Sequence, residues 1–175
     1  MRIALAARRR LRLDTLYLVP TFLSPHKPNR DVATPRHRLR MLELSTRGRA
    51  GLKVCDLELR RRGPSYTVDT LRRLRRRHPG AEWFIVVGAD NARSLSSWRR
   101  ADLLAQWATF AVVDRPGAPW KPSGSGRMRV RVPRSPLSST EIRRRARRGL
   151  PFSNMVPPGI SDYIIRHRLY GGGKP

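Results

Sequence analysis

The chain has 175 residues, the usual length of one domain and enough to bury a hydrophobic core. Arginine dominates its charge: 38 residues are Lys or Arg, 12 are Asp or Glu, and the formal net charge is +26. One cysteine excludes an intramolecular disulfide and makes a thiolate metal cluster implausible, and no apolar run reaches the length of a membrane helix. We therefore expect a cytoplasmic protein with no membrane partner.

The positive charge has two interpretations. It attracts polyanions such as nucleic acids, or it reflects arginines placed on solvated positions. Runs of three arginines begin at residues 8, 60, 75 and 143, so they are spread over several elements. No aromatic residues alternate with these runs, as a stacking surface for bases would require. The distribution favours solvated arginines, with non-specific polyanion binding as the alternative.

Apolar periodicity and breaker residues outline the secondary structure. In chain order they predict a helix over 3–11, a strand over 14–20, a helix over 35–45, a strand over 52–59, a helix over 66–78, a strand over 82–87, a helix over 97–107, a strand over 108–114, an edge strand over 127–132 and helices ending at 149 and 170. Thr34 and Ser65 are the expected N-caps of the second and third helices. Strands that alternate with helices in this way predict an α/β fold with a mostly parallel sheet flanked by helices. We expect one domain over residues 1–170 and a flexible tail over 171–175.

Ligands of parallel α/β sheets bind beyond the carboxyl ends of the strands, where loops open into helix N-termini. The segment SPLSSTEIR lies at such a place, and Ser138 or Ser139 can cap its helix. First-turn N–H groups and the helix dipole favour an anion there, and Arg143 follows Thr140 by about one turn. The alternative is a capping box, since Ser138 and Glu141 match S-x-x-E.

Three further segments carry polar groups at such ends. His26 and Lys27 lie in a loop stiffened by prolines, although such a pair is also common on solvated surfaces. Gly88 would let a ligand approach the backbone, and Asp90 is suited to accept hydrogen bonds from ribose hydroxyls or to serve as an ordinary helix N-terminal acid. Trp98 could stack on a flat heteroaromatic ring or belong to the core.

Six motifs in register resemble the bacterial nicotinate-nucleotide adenylyltransferases, a family of the nucleotidyltransferase superfamily. The resemblance covers the chain from its first helix to YIIRHRLY. The family patterns PPHK, SYTxxTL, IGxD, a following tryptophan, ISSTxIR and VPxxVxxYIxxxxLY correspond to residues 24–27, 65–71, 87–90, 98, 137–143 and 156–170. The resemblance implies a Rossmann-like nucleotidyltransferase domain.

The implied reaction is adenylyl transfer from ATP to nicotinate mononucleotide, which yields deamido-NAD and pyrophosphate. By this resemblance Ser139, Thr140 and Arg143 hold ATP phosphates, while Gly88 and Asp90 meet a ribose. Magnesium is expected to arrive on the ATP phosphates rather than in a protein cage.

The same resemblance implies how the mononucleotide is bound. Trp98 stacks on the nicotinate ring, and the helix start at Thr67 receives the nicotinate carboxylate. His26 and Lys27 line the path of the phosphates.

The family opens with a strand and a GxFDPxHxGHL motif whose two histidines neutralise the ATP phosphates, and these 175 residues contain neither. The chain's first residues resemble the helix that follows that motif. We therefore expect the first strand of the fold to be missing, the natural product to be longer, with Met1 a misassigned start, and the 175-residue chain to have little activity.

Two alternative functions remain open. The chain could be another adenylyl- or cytidylyltransferase of the superfamily, although PSYTVDTL and Trp98 favour a flat ring with a carboxylate. It could also be a non-catalytic, basic nucleic-acid-binding protein on the same fold, which the charge favours and the ligand motifs oppose.

Overall fold

The computed structural model describes residues 1–25, 33–113, 126–132 and 137–171. Its helices are α1 Arg2–Arg10, α2 Pro35–Thr46, α3 Leu57–Arg61, α4 Thr67–Arg77, α5 Ala89–Ala92, α6 Ala101–Trp107, α7 Ser139–Arg147 and α8 Ile160–Arg166. Its strands are β1 Leu16–Leu18, β2 Leu52–Val54, β3 Phe84–Gly88, β4 Thr109–Val113 and β5 Arg127–Val130. Short 3₁₀ turns occupy Leu95–Ser97 and Ser153–Met155. Within these ranges no helix is both long and apolar enough to cross a membrane.

The chain divides into two compact units. The first comprises residue 1, residues 14–64 and residues 135–175, and the second comprises residues 2–13 and 65–134. The first unit contains the parallel pair β1–β2, and the second contains a parallel sheet in the order β3–β4–β5. These parallel sheets with their helices confirm the predicted α/β class. The position of β5 at a sheet edge is also as predicted.

The second unit is built around both faces of β4. Phe110 and Val112 point into one buried cluster, which includes Val68 and Leu71 of α4 and Leu104 of α6. The intervening β4 residues, Ala111 and Val113, belong to another buried cluster. Alternate residues of a strand point to opposite faces, so burial on both sides gives the continuous apolar run expected of a parallel sheet. The helical spacing seen in α4 is confirmed as its core-facing stripe.

The first unit has a core made by three helices. Phe152, Ile160 and Ile164 form its buried centre, and residues of α2 and α7 pack against it, including Met41 and Ile142. The start of α7 is therefore anchored through the apolar face of its own helix.

Two predicted elements are present but shorter than predicted. The strand over 52–59 ends at Val54, and α3 follows, because the Arg60 N–H donates to the Asp56 carbonyl oxygen at 3.0 Å and closes a helical turn. The Arg60 side chain also donates to the Asp56 carboxylate at 2.7 Å. The helix over 97–107 is interrupted at Arg100, whose φ of 52° lies in the left-handed region, and α6 begins only at Ala101.

Of the two expected N-caps, Thr34 is confirmed by its position and Ser65 is wrong. Thr34 is the N-cap residue of α2, with Pro35 in the first turn, but its side chain makes no capping hydrogen bond. Ser65 does not cap α4, because the N-cap residue is Tyr66. Ser65 is instead buried.

Candidate active site

The start of α7 lies in the first unit and carries three consecutive hydroxyl residues. The Ser138 hydroxyl oxygen accepts a hydrogen bond from the Glu141 N–H at 3.1 Å, so Ser138 is the N-cap. Ser139 and Thr140 form the exposed first turn of the helix. The cap satisfies one first-turn N–H group, and the positive end of the helix dipole remains at an accessible surface.

Two of the arginines of α7 donate hydrogen bonds to the carboxylate of Glu141. The Arg144 guanidinium donates in a fork to the Glu141 carboxylate, at 2.7 Å and 2.6 Å, and Arg145 Nε donates to it at 2.8 Å. Two cations thus share one carboxylate, so part of their positive charge is balanced within the helix. These hydrogen bonds lower the pKa of Glu141 to about 2.

Arg143 is directed differently from its two neighbours. Its Nη2 lies 3.4 Å from the Thr140 hydroxyl oxygen, one turn earlier on the helix. A guanidinium, a hydroxyl and a helix N-terminus therefore lie within one turn, the combination of donors that suits phosphate oxygens. Burial raises the pKa of Tyr170, although the positive charge of Arg143 opposes that rise.

Arg38 of α2 is a residue that the sequence reasoning missed. Its guanidinium donates to the carbonyl oxygens of Ala33 at 3.1 Å and Phe22 at 3.3 Å, and to the Thr21 hydroxyl at 3.3 Å. Arg38 thereby ties together the two described ends of the loop that contains the predicted PHK segment. Burial lowers the pKa of Arg38, as expected for a cation that has lost part of its hydration. No signal in the sequence distinguishes it from the other arginines of α2.

His26 and Lys27, which were predicted to line the phosphate path, lie outside the described residues. Their roles stay predictions.

The second unit places Gly88 at the carboxyl end of β3 and Asp90 in the first turn of α5. Gly88 has φ −75°, so its backbone conformation does not require glycine, and an added Cβ would meet no atom of the described residues within 4 Å. The protein itself leaves this space open at a strand end, where a ligand could approach the backbone. Asp90 is exposed beside it.

The start of α4 lies close to the segment that carries Trp98. The Arg99 guanidinium stacks over the Tyr66 ring at 4.6 Å, and Tyr66 immediately precedes Thr67. The N-cap residue Tyr66 supplies no side-chain cap to the first turn of α4. Trp98 is half-buried and makes an edge contact with Phe110 at 6.4 Å between ring centroids. The core therefore orients the Trp98 indole, so the core interpretation and the stacking interpretation are both compatible with its position.

The side chains that the structure describes do not form a site that suits a metal ion held by the protein. In the described ranges no group of three His, Cys, Asp or Glu side chains could hold a metal ion. Beside Arg143 the one described carboxylate of the α7 first turn, Glu141, accepts hydrogen bonds from Arg144 and Arg145, and the other groups there are hydroxyls and guanidinium, whereas magnesium prefers carboxylate and phosphate oxygens. These residues fit phosphate oxygens rather than the cation itself.

Replacing Gly88 by alanine tests whether its open space serves a ligand. We expect stability to stay the same or rise by about 0.4–1 kcal/mol, because alanine restricts the unfolded chain and meets no atom in the folded one. Affinity for ATP should fall, since the methyl group occupies the approach to the strand end. Thermal denaturation and calorimetric titration with ATP separate the two effects, and unchanged affinity would contradict the role of Gly88.

The Glu141 cluster predicts an unusual acid titration. The folded-state pKa lies below the unfolded value, so the stabilising contribution of the pair is complete above pH 4.5 and is lost as the pH falls through about 2. Carbon-13 NMR of the side-chain carboxyl should give a midpoint near 2, and replacing Arg144 and Arg145 together by glutamine should move it toward 4.5. A midpoint at 4.5 in the unchanged chain would show that the two arginines do not bind Glu141 in solution.

Parallel strands whose carboxyl ends lead into helix N-termini define a class of α/β protein. Members of this class commonly bind nucleotides at the carboxyl edge of the sheet. Comparison with known proteins identifies the family within this class. Residues 1–145 match the cytidylyltransferase-like family. The "Probable nicotinate-nucleotide adenylyltransferase" of Geobacillus thermodenitrificans is 38% identical over 161 residues, which cover 92% of this chain and 74% of that protein.

A protein of the same name from Salinibacter ruber is 36% identical over 172 residues, which cover 96% of this chain and 88% of that protein. The chain therefore belongs to the nicotinate-nucleotide adenylyltransferase family, within the cytidylyltransferase-like nucleotidyltransferases. The solved structure of Plasmodium falciparum nicotinic acid mononucleotide adenylyltransferase complexed with NaAD aligns with a TM-score of 0.68 at 19% identity, over 90% of this chain and 82% of that one. This likeness confirms the Rossmann-like fold.

Proposed function

We propose that the chain acts in NAD biosynthesis by adenylyl transfer from ATP to nicotinate mononucleotide, giving deamido-NAD and pyrophosphate. The observation that carries the proposal is the start of α7, where Arg143 lies beside Thr140 while Glu141 occupies Arg144 and Arg145. Such an arrangement selects one arginine for a phosphate ligand. Its place in a family whose relatives are named for this reaction supplies the substrate class.

In the first unit, we assign Ser139, Thr140 and Arg143 to the ATP phosphates. The hydroxyls and first-turn N–H groups donate hydrogen bonds, and the guanidinium supplies a full positive charge in a fork. His26 and Lys27 are assigned to the phosphate path on the family resemblance. Magnesium is assigned to the ATP phosphates, where it neutralises charge on the pyrophosphate that leaves.

In the second unit, Gly88 and Asp90 are assigned to a ribose, because a carboxylate accepts from two vicinal hydroxyls and glycine leaves room beside the strand. Thr67 is assigned to the nicotinate carboxylate, which the dipole of α4 favours. Trp98 is assigned to the nicotinate ring, whose flat face can stack on the exposed part of the indole.

The reaction forms one bond and breaks one. A phosphate oxygen of nicotinate mononucleotide attacks the α-phosphorus of ATP, and the bond from that phosphorus to the bridging oxygen of pyrophosphate breaks. Negative charge accumulates on the leaving pyrophosphate, so the residues that bind phosphate contribute by positioning the reactants and stabilising charge. No covalent intermediate on the protein is needed.

Binding and turnover have to be measured separately to test this proposal. We expect calorimetry to detect binding of ATP and of nicotinate mononucleotide. We expect a coupled pyrophosphate assay to detect little turnover. The reason is that the two histidines of the family's phosphate-neutralising motif are absent from these 175 residues. Failure to bind either nucleotide would overturn the proposed function, and normal turnover would overturn the expectation of low activity.

The main alternative within the superfamily concerns the substrate. Parallel titrations with nicotinate and nicotinamide mononucleotides test whether a carboxylate is recognised, and a titration with CTP tests for a cytidylyltransferase. We expect tighter binding of the nicotinate form, because the dipole of α4 favours a carboxylate, whereas an amide carries no charge to gain from the dipole. The Asp69 carboxylate of the same turn is paired with Arg72 at 3.6 Å and with Arg99 at 4.0 Å. Equal affinity for the two mononucleotides would count against the role of Thr67.

A further inference from the structure

A cavity lies in the second unit, at the C-terminal end of α4. Its volume is about 410 Å³, within the range of about 300–1,000 Å³ that is typical of small-ligand sites. Its lining includes two tryptophans, a histidine and three arginines, namely Trp83, Trp107, His78, Arg72, Arg75 and Arg76. The described lining contains no carboxylate. Such a cavity has no part in the reaction proposed above.

The cavity is separate from the candidate site residues of the same unit. Trp83 immediately precedes β3, whereas Gly88 ends that strand. Gly88 is five residues after Trp83, and each step adds a rise of about 3.3 Å, so the two lie about 16 Å apart along β3. Trp107 likewise precedes β4. The cavity is thus at the amino ends of these strands, and the candidate ligand residues are at the carboxyl ends.

Trp107 holds two of the arginines in place. The guanidinium carbons of Arg72 and Arg75 lie 5.7 Å and 5.3 Å from its ring centroid, distances typical of cation–π contacts. Arg75 Nη1 also donates to the Trp107 carbonyl oxygen at 3.1 Å, and Arg72 lies 3.6 Å from the Asp69 carboxylate. These contacts place the charges of Arg72 and Arg75 beside the Trp107 indole, which remains half-exposed.

The other wall of the cavity combines aromatic surface and an exposed cation. The rings of His78 and Trp83 lie 6.2 Å apart, and Trp83 is half-buried. Arg76 is exposed, and within the part of the chain that the structure describes it makes no hydrogen bond or ion pair. Its guanidinium is therefore available to an incoming anion.

Aromatic faces beside guanidinium groups recognise one kind of ligand well: a planar base attached to a phosphate. In the sequence, no aromatic residues alternate with the arginine runs. The fold changes that conclusion for the run at 75–77, because Trp83 and Trp107 come from outside the helix. We propose that this cavity binds single-stranded nucleic acid, with a base against the tryptophans and its phosphates on the arginines.

The charge beyond the cavity favours a strand over a free nucleotide. Arg73 and Arg77 continue the positive surface around α4, and the whole chain carries a net charge of +26. A duplex would present its phosphates but would keep its bases stacked inside, so it could not use the tryptophans. The proposal is independent of the adenylyl transfer, since it uses none of the residues assigned to ATP or nicotinate mononucleotide.

Fluorescence anisotropy with the full 175-residue chain tests the proposal. The probes are a labelled oligouridine of about twelve nucleotides, a duplex of the same length and unlabelled UMP as competitor, at about 150 mM salt. We expect the single strand to bind more tightly than the duplex and to quench tryptophan fluorescence. We also expect UMP to compete only weakly, because it contacts one phosphate position.

Variants on one helix provide the matched comparison. Arg76→Gln should weaken binding of the single strand by about 3- to 10-fold, whereas Arg73→Gln, which removes the same charge outside the cavity, should weaken it less than about twofold. Trp107→Leu should weaken single-strand binding by about 5- to 100-fold, the range expected for loss of one stacked base. Because Trp107 also packs against the core, Arg76→Gln keeps the test valid if that variant fails to fold.

Three results would overturn the proposal. The first is equal affinity for the single strand and the duplex, which indicates phosphate attraction alone. The second is an equal loss of affinity in Arg76→Gln and Arg73→Gln. The third is binding of UMP without binding of the oligonucleotide, which indicates a mononucleotide site.

Discussion

Replacing Arg143 by glutamine is expected to lower the affinity for ATP by about 10- to 100-fold, the usual effect of losing one charge-assisted fork to phosphate. Arg143 is the arginine of α7 whose guanidinium lies beside the Thr140 hydroxyl, at 3.4 Å, at the end of the helix that favours anions. The remaining hydroxyls and N–H groups would still bind phosphate, but without a full charge. Calorimetric titration of ATP into the variant measures the change.

Arg148→Gln is the matched control for this variant. Arg148 is exposed at the other end of α7, so its replacement removes the same charge from the same helix without touching the first turn. We expect its ATP affinity to stay within about twofold of the unchanged chain, and both variants to unfold within about 0.5 kcal/mol of it. If both variants lost affinity equally, ATP would be responding to the general positive field, and the assignment of Arg143 would be wrong.

Replacing Arg38 by methionine is expected to destabilise the first unit by about 2–3 kcal/mol. The variant keeps the apolar stem but removes all three donations, to Thr21, Phe22 and Ala33. Part-buried carbonyl oxygens that lose a charged donor destabilise the folded state, and we expect this loss to outweigh the burial penalty on the guanidinium that the substitution removes. Thermal unfolding should therefore occur about 4–12 °C lower.

Arg40→Met separates this effect from the loss of any α2 arginine. Arg40 lies on the same helix, is exposed and makes one surface ion pair with Glu43 at 2.9 Å. Pairs of this kind contribute at most about 1 kcal/mol, so the Arg40 variant should unfold close to the unchanged chain. An Arg38 variant as stable as the Arg40 variant would show that the three hydrogen bonds do not hold the loop in solution.

Much of the local structure could be predicted from the sequence. The apolar spacing of Val68, Leu71 and Leu74 identified the buried face of α4, and all three are buried. Ser138 followed by Glu141 identified the beginning of α7. Such signals depend on neighbours within four residues, which is why they can be read without the fold.

The failures of prediction occurred in short elements. The run LKVCDLEL was predicted to form one strand, but α3 has only five residues, too few for its periodicity to distinguish helix from strand. Arg100 adopts a left-handed conformation that most arginines avoid, supported by its forked hydrogen bonds to Asp102 at 3.1 Å and 3.0 Å. The residue type alone gave no indication of that turn.

The sequence by itself determined the α/β class, the family and the residues to consider for ATP and nicotinate mononucleotide, because these depend on local patterns and ordered motifs. The sequence could not show which of the 34 arginines bind a ligand or hold the fold, since each has the same charge and nearly the same reach. Only the tertiary structure showed that Arg38 ties two ends of a loop and that Trp107 lies against Arg75, 32 residues away. An arginine's role depends on which acceptor or ring lies within reach of its guanidinium, and packing decides that.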